Sequence, residues 1–142
     1  MIALLLLAQL AVVDGNTLKA PWGERYRLHG IDAPELAQQC ERDGALYRCG
    51  LVARKALEAF LEGKEVLCAP IDQDRYSKTV AICLADGLDV GEEMVLQGWA
   101  LDYPRYSFYE YARAQQWAKA LRLGMWAGEF TEPWVWRQER RE

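Results

Sequence analysis

The sequence predicts an α+β chain that is mainly β. Three observations carry that prediction. Apolar runs of strand length, broken by Gly, Pro, Asn and Asp, fill the first half. The second half instead shows apolar residues at helical spacing, bounded by Asp or Ser start signals and Gly stops. The 142 residues are 51% hydrophobic and 27% charged, a globular composition in a length that suits one core, so a single domain over 1–142 is expected. No low-complexity segment, linker or repeat divides it.

Residues 1–13 are almost wholly apolar. Two readings fit. As a signal remnant, Leu4 to Leu7 resembles an h-region and Ala8-Gln9 lies near a cleavage site, yet no basic n-region precedes them. As a long buried first strand, the run leads straight into the first polar motif, and this reading is preferred. The run is too short to span a bilayer, so no membrane partner is expected. Asp14-Gly15-Asn16 is turn chemistry. Residues 17–20 and 25–31 read as the next strands, joined through Pro21-Trp22-Gly23. A polar loop over 38–44 leads to a helix over 46–61, where Val52, Ala56, Leu57, Phe60 and Leu61 recur at helical spacing and Gly63 supplies a stop. Strands over 64–68 and 79–84 follow, joined through 72–77. Asp89 and Glu92 resemble a capping box for a short helix ending at Gly98, and Ser107 with Glu110 repeats that signature for a last helix running to Gly124. Five strands, a helix after the third and helices at the end are compatible with a closed barrel, although periodicity alone does not select it.

The formal net charge is −4. This argues against tight, sequence-independent nucleic-acid binding, which rests on phosphate neutralisation by Lys and Arg. A local basic cluster can still hold one phosphate within an acidic protein. Residues 137–142, with Arg137, Arg140 and Arg141, read as a solvated basic tail.

The cysteines are Cys40, Cys49, Cys68 and Cys83, and sequence alone allows three connectivities. If the runs around Cys68 and Cys83 form an antiparallel hairpin turning near Arg75-Tyr76, residues 68 and 83 face each other closely enough for a disulfide. Cys40 and Cys49 then close a short local loop. Zinc and free thiols are the rivals, but there is no CxxC pair and His29 is the sole histidine. Disulfides are preferred, and they point to a periplasmic or secreted protein.

Three polar clusters interrupt the strands: Asp14-Gly15-Asn16, Asp32-Ala33-Pro34-Glu35, and Asp74-Arg75-Tyr76-Ser77-Lys78. Each alone is explained as a turn. Together they fit phosphoryl chemistry. Asp32, Asn16 and a loop carbonyl offer oxygens to a hard cation such as calcium. Glu35 can position or deprotonate a water. The planar fork of Arg27 suits a phosphodiester. Strand alternation puts Arg27 and Asp32 on opposite faces, so they converge only if Gly30 or the Pro34 turn redirects the backbone. His29 reads as a satisfied or exposed histidine. Trp117, Trp126, Trp134 and Trp136 fit packing of the last helix and tail better than a stacking platform.

The segments VVDGNT, RLHGIDAPE with Gln38 following, DRYSKTVAIC, and GWA followed by YARAQQWAKALRLGMW resemble the staphylococcal nuclease or thermonuclease family. The ending GEFTEPWVWR is similar to its exported bacterial branch. The resemblance runs in family order over residues 12–137 and implies a five-stranded OB-type barrel with about three packed helices. It implies a calcium-dependent endonuclease on DNA or RNA, cutting by water attack on phosphorus to leave 3'-phosphate ends. Carried over, Arg27 matches a phosphate-binding arginine and Glu35 the proposed general base. Asp32 matches a calcium ligand, and Ala33 the residue giving calcium a carbonyl. Arg75 and Tyr76 match nucleotide-contacting positions, and Tyr103 or Tyr106 matches pocket tyrosines.

Three positions depart from the family pattern. Asn16 replaces Asp, which keeps an oxygen but removes a charge, so one weakly bound calcium is expected. Ser77-Lys78 replaces Gly-Arg; Lys78 keeps a catalytic cation but loses the bidentate fork. Ser77 replaces a residue permissive of positive φ. The expectation is an impaired nuclease, monomeric, with single-stranded DNA or RNA as substrate. The alternative is a non-catalytic homologue that binds nucleic acid or protein. No residue points to polysaccharide chemistry.

Overall fold

The computed structural model describes residues 5–6, 10–73 and 78–141. The chain opens with β1 (Leu5–Leu6), β2 (Ala11–Asp14), β3 (Thr17–Lys19), β4 (Arg25–Leu28) and β5 (Ile31–Asp32). A hairpin of β6 (Cys40–Arg42) and β7 (Ala45–Tyr47) precedes α1 (Cys49–Leu61). Next come β8 (Val66–Gln73), β9 (Thr79–Ala85), β10 (Leu88–Asp89), α2 (Val90–Leu96) and β11 (Leu101–Asp102). The chain continues with α3 (Pro104–Ser107), α4 (Ala112–Ala120), a 3-10 turn at Gly124–Ala127, and α5 (Pro133–Arg141).

The main sheet runs β1-β8-β9-β4-β3-β2, with β10 added beside β9. All its pairings are antiparallel except β4 with β9. Its two end strands, β1 and β2, both come from the N-terminal segment. The result is the expected mainly-β OB-type layout. Strand alternation fills the interior: Thr79, Ala81, Cys83 and Ala85 of β9 are buried, with more accessible residues between them. Leu18, Tyr26, Leu28, Ile31 and Met94 join them in the main core, and α1 lays Ala53 and Leu57 over it. A second cluster holds Cys40, Cys49, Leu101 and Met125 under Trp126, Phe130 and Trp134.

Both disulfides form as expected. Cys68 and Cys83 are direct partners in the β8–β9 register and are bonded. Cys40 and Cys49 close the loop that contains β6 and β7. Asp89 caps α2 by accepting from the backbone N–H groups of Gly91 and Glu92.

Several boundaries differ from expectation. The N-terminal run is a strand only over Leu5–Leu6 and Ala11–Asp14 among the described residues, and Ala11 is exposed rather than buried. The helix expected from 46 begins at Cys49, because residues 45–47 pair with β6 instead. Ser107 does not start a helix: its hydroxyl binds the Asp102 carboxylate, and α4 begins at Ala112 without a side-chain cap. Trp117 is 58% exposed, so it does not pack as expected. The solvated tail expected over 137–142 is, through Arg141, part of helix α5. Pro133 opens that helix, where a missing N–H costs nothing. No helix among the described residues is long and apolar enough to cross a membrane.

Candidate active site

Four segments meet where β4 turns into β5. The first is the Asp14–Thr17 turn, in which Asp14 Oδ1 accepts from the Asn16 N–H at 3.0 Å. The carbonyl of Asn16 accepts from Leu28 of β4 at 2.8 Å, and its side-chain amide reaches the Ile31 carbonyl of β5 at 3.4 Å. Asn16 is therefore buried against the residue that precedes Asp32. Gly15 permits the fit, since a Cβ there would sit 2.7 Å from that of Ala33 and 2.9 Å from that of Ala53.

Gly30 makes the turn that alternation required. Its φ of +73° is the left-handed conformation that glycine adopts freely. With the path redirected, Arg27 Nη2 comes to 3.7 Å from Asp32 Oδ1. Asp32 is 1% exposed and pairs with Leu101 of β11. Ala33 is buried behind it.

Glu35 is held from below. Its N–H donates to Gln38 Oε1 at 3.3 Å, and its carbonyl accepts from the Gln38 N–H at 2.8 Å. A Cβ on Gly50, in the first turn of α1, would fall 1.7 Å from that carbonyl oxygen, so only glycine allows α1 this close.

The residue that dominates the site is Arg137 of α5. Its Nη1 donates to Asp32 Oδ1 at 3.0 Å and to Glu35 Oε1 at 3.0 Å, and its Nη2 donates to Asp32 Oδ2 at 2.7 Å. Burial works against the Arg137 charge, but the hydrogen bonds and charges of Asp32 and Glu35 outweigh it and hold the guanidinium protonated. For Asp32, burial is the largest influence and pushes its carboxyl up, against the pull of Arg137 and Arg27.

Sequence reading missed Arg137 as a site residue, along with the positioning roles of Gln38 and Gly50. A signal for Arg137 was present: Pro133 marks a helix start, and Trp134 and Arg137 are three apart, on one helix face. Trp134 stacks on Tyr103 with centroids 4.9 Å apart, and Tyr103 meets Tyr106 edge-on at 4.8 Å. The two tyrosines thus adjoin the helix that carries Arg137. Lys78 is half-buried, two residues before Val80, the β9 partner of Arg27. Arg75, Tyr76 and Ser77 lie outside the described residues. His29 is satisfied, with Nε2 3.1 Å from Glu110 Oε1.

The family model for staphylococcal nuclease homologues matches residues 25–128. The chain is 39% identical over 127 residues to the succinoglycan biosynthesis protein ExoI of Rhizobium meliloti, covering 87% of this chain and 66% of that protein. It is 33% identical over 136 residues to an uncharacterized endonuclease of Haemophilus influenzae, covering 92% and 71%. It is 34% identical over 119 residues to a probable staphylococcal-like nuclease of Oryza sativa subsp. japonica, covering 82% of this chain and 33% of that protein. The chain thus spans just under two thirds of the length of the rhizobial relative and about a third of the rice one.

Proposed function

Because the chain belongs to the staphylococcal nuclease homologue family, we propose that it is a calcium-dependent phosphodiesterase on single-stranded DNA or RNA, weakened at residues 16, 77 and 78. One observation carries this reading. A single nitrogen, Arg137 Nη1, lies 3.0 Å from oxygens of both Asp32 and Glu35, while Arg27 approaches the same Asp32 oxygen at 3.7 Å. Two carboxylates and an arginine therefore face one point that a cation already reaches, and the guanidinium stands in there for a positive ion.

The donors at that point are all oxygen, which fits a hard divalent ion. Asp32, the Asn16 amide oxygen and the Ala33 carbonyl would hold it. Bound there, calcium would neutralise charge on the non-bridging phosphoryl oxygens.

The remaining work falls to the chain. Arg27 orients the phosphodiester through paired N–H donors, and Lys78 adds a second positive charge. Glu35, 36% exposed, takes a proton from water as its oxygen bonds to phosphorus. The bond from phosphorus to the 5'-oxygen breaks, leaving a 3'-phosphate and a 5'-oxygen that takes a proton from solvent to become a hydroxyl. Tyr103 and Tyr106, with Arg75 and Tyr76, would hold the nucleotide. The two disulfides support a site of action outside the cytoplasm.

Digestion of single-stranded DNA with calcium and with chelator tests this. Cleavage is expected with calcium and should vanish with chelator; cleavage that continues unchanged in chelator sinks the calcium mechanism. Restoring Asn16→Asp, Ser77→Gly and Lys78→Arg together should raise the rate on the order of a thousandfold, the equivalent of about 4 kcal/mol. A triple variant no faster than the parent overturns the account of impairment. A second reading, a non-catalytic binding module, is favoured by Arg137 covering both carboxylates. It predicts nucleic-acid or protein binding without cleavage in the same assay.

A further inference from the structure

Arg137 occupies both oxygens of Asp32 and one oxygen of Glu35. A hard divalent ion seeks the Asp32 oxygens among them. Placing both cations on one carboxylate brings like charges within a few ångströms in a partly buried setting, where repulsion is poorly screened.

The segment before α5 is built to deliver Arg137 to this place. Glu129 and Glu41 exchange backbone hydrogen bonds at 2.8 and 2.9 Å. Gln38 Nε2 donates to the Thr131 carbonyl at 2.7 Å. Trp134 stacks on Tyr103, and Arg137 follows one helical turn later. A Cβ on Gly128 would lie 1.9 Å from the Glu41 carbonyl oxygen, so the strap lies flat against β6.

We propose that Arg137 is a tethered cation that competes with the divalent ion for Asp32, so that metal binding requires its guanidinium to leave that carboxylate. The proposal rests on the metal site described above and adds the residue that sets its affinity. The coupling is reciprocal: a seated α5 weakens metal binding, and bound metal loosens α5. Asn16 in place of a charged ligand tilts the contest further toward Arg137.

The test measures terbium luminescence, sensitised by tryptophan, and its displacement by calcium in the full chain. Parent, Arg137→Met, Arg137→Lys and Trp134→Leu are compared, with Asp32→Asn as the ligand-loss control. Arg137→Met should tighten the metal Kd about tenfold or more, within the usual range of site-to-site coupling, and Arg137→Lys less so. Calcium should also speed tryptic cleavage after Arg137 in the parent. A folded Arg137→Met with unchanged or weaker Kd overturns the proposal and leaves the metal site standing. If no chain shows binding that depends on Asp32, the metal site itself fails, and this proposal with it. If Arg137→Met does not fold, Trp134→Leu decides, since it loosens α5 without touching the carboxylates: a tighter Kd supports the competition, and an equal one overturns it.

Discussion

Arg137 makes three hydrogen bonds to the carboxylates, whereas Arg27 approaches one oxygen at 3.7 Å. Arg27 is thus less committed than Arg137, and Glu35 is the more accessible of the two carboxylates, which suits the base role proposed for it. Glu35→Gln keeps the shape and the Gln38 hydrogen bonds to its backbone but cannot accept that proton. Its kcat should fall by about a hundredfold or more with KM little changed, read by steady-state cleavage of single-stranded DNA. An unaltered kcat removes Glu35 from the role of base. A second residue-scale effect lies in the barrel. Tyr26 is buried and donates to Glu24 at 2.9 Å, and Thr79 donates to the same carboxylate at 2.7 Å. Burial and the neighbouring Glu24 push the Tyr26 hydroxyl up to about 12. The unfolded chain therefore loses this proton first, near pH 10. Stability from the neutral phenol is complete below that pH and declines as pH rises from about 10 to 12. Urea midpoints across this range should fall more steeply in the parent than in Tyr26→Phe; equal slopes contradict the assignment.

At the scale of elements, local pattern and long-range docking divide what the sequence reveals. Asp89 as a cap, the facing of Cys68 and Cys83, and the turn at Gly15-Asn16 are legible because each depends on near neighbours in the chain or on strand register. The convergence of Arg27 with Asp32 is legible as a condition, which the positive φ of Gly30 fulfils. The β6–β7 hairpin was hidden because Leu46 continues the apolar pattern of α1, yet it is 69% exposed. Arg137 was hidden because 105 residues separate it from Asp32, and no periodicity encodes such a contact. What delivers it is the strap from Gly128 to α5, and that strap depends on the bare backbone of Gly128 beside Glu41. Gly128→Ala must push it outward. An overpacking cost of about 1–3 kcal/mol is expected in urea denaturation, together with faster tryptic cleavage after Arg137. Unchanged protection at that bond would mean that the strap does not seat the helix.

For the whole molecule, the division into two clusters decides how its stability is distributed. Cys68 and Cys83 belong to the barrel core with Leu18, Tyr26 and Leu28, whereas Cys40 and Cys49 belong to the cluster beneath Trp126 and Trp134. Family order made the barrel legible from the sequence, but this second cluster draws residues from the loop, β11 and the C-terminal segment, so no single stretch announced it. The Cys40–Cys49 bridge joins residues 9 apart, and Cys68–Cys83 joins residues 15 apart. Loop-closure entropy assigns about 2.6 kcal/mol to the first and about 3 kcal/mol to the second. Because the bridges serve different clusters, their losses should add within about 0.5 kcal/mol. Replacing each pair by serine, then both, and measuring urea denaturation gives the cycle. The barrel pair should lower stability, with the proposed metal binding unaffected in the folded fraction. The Cys40–Cys49 pair frees the loop that carries Gln38 toward Thr131, so it should also increase cleavage after Arg137. A large coupling energy between the two replacements would show instead that barrel and strap unfold as one unit, and the seat of Arg137 would then be only as stable as the barrel beneath it.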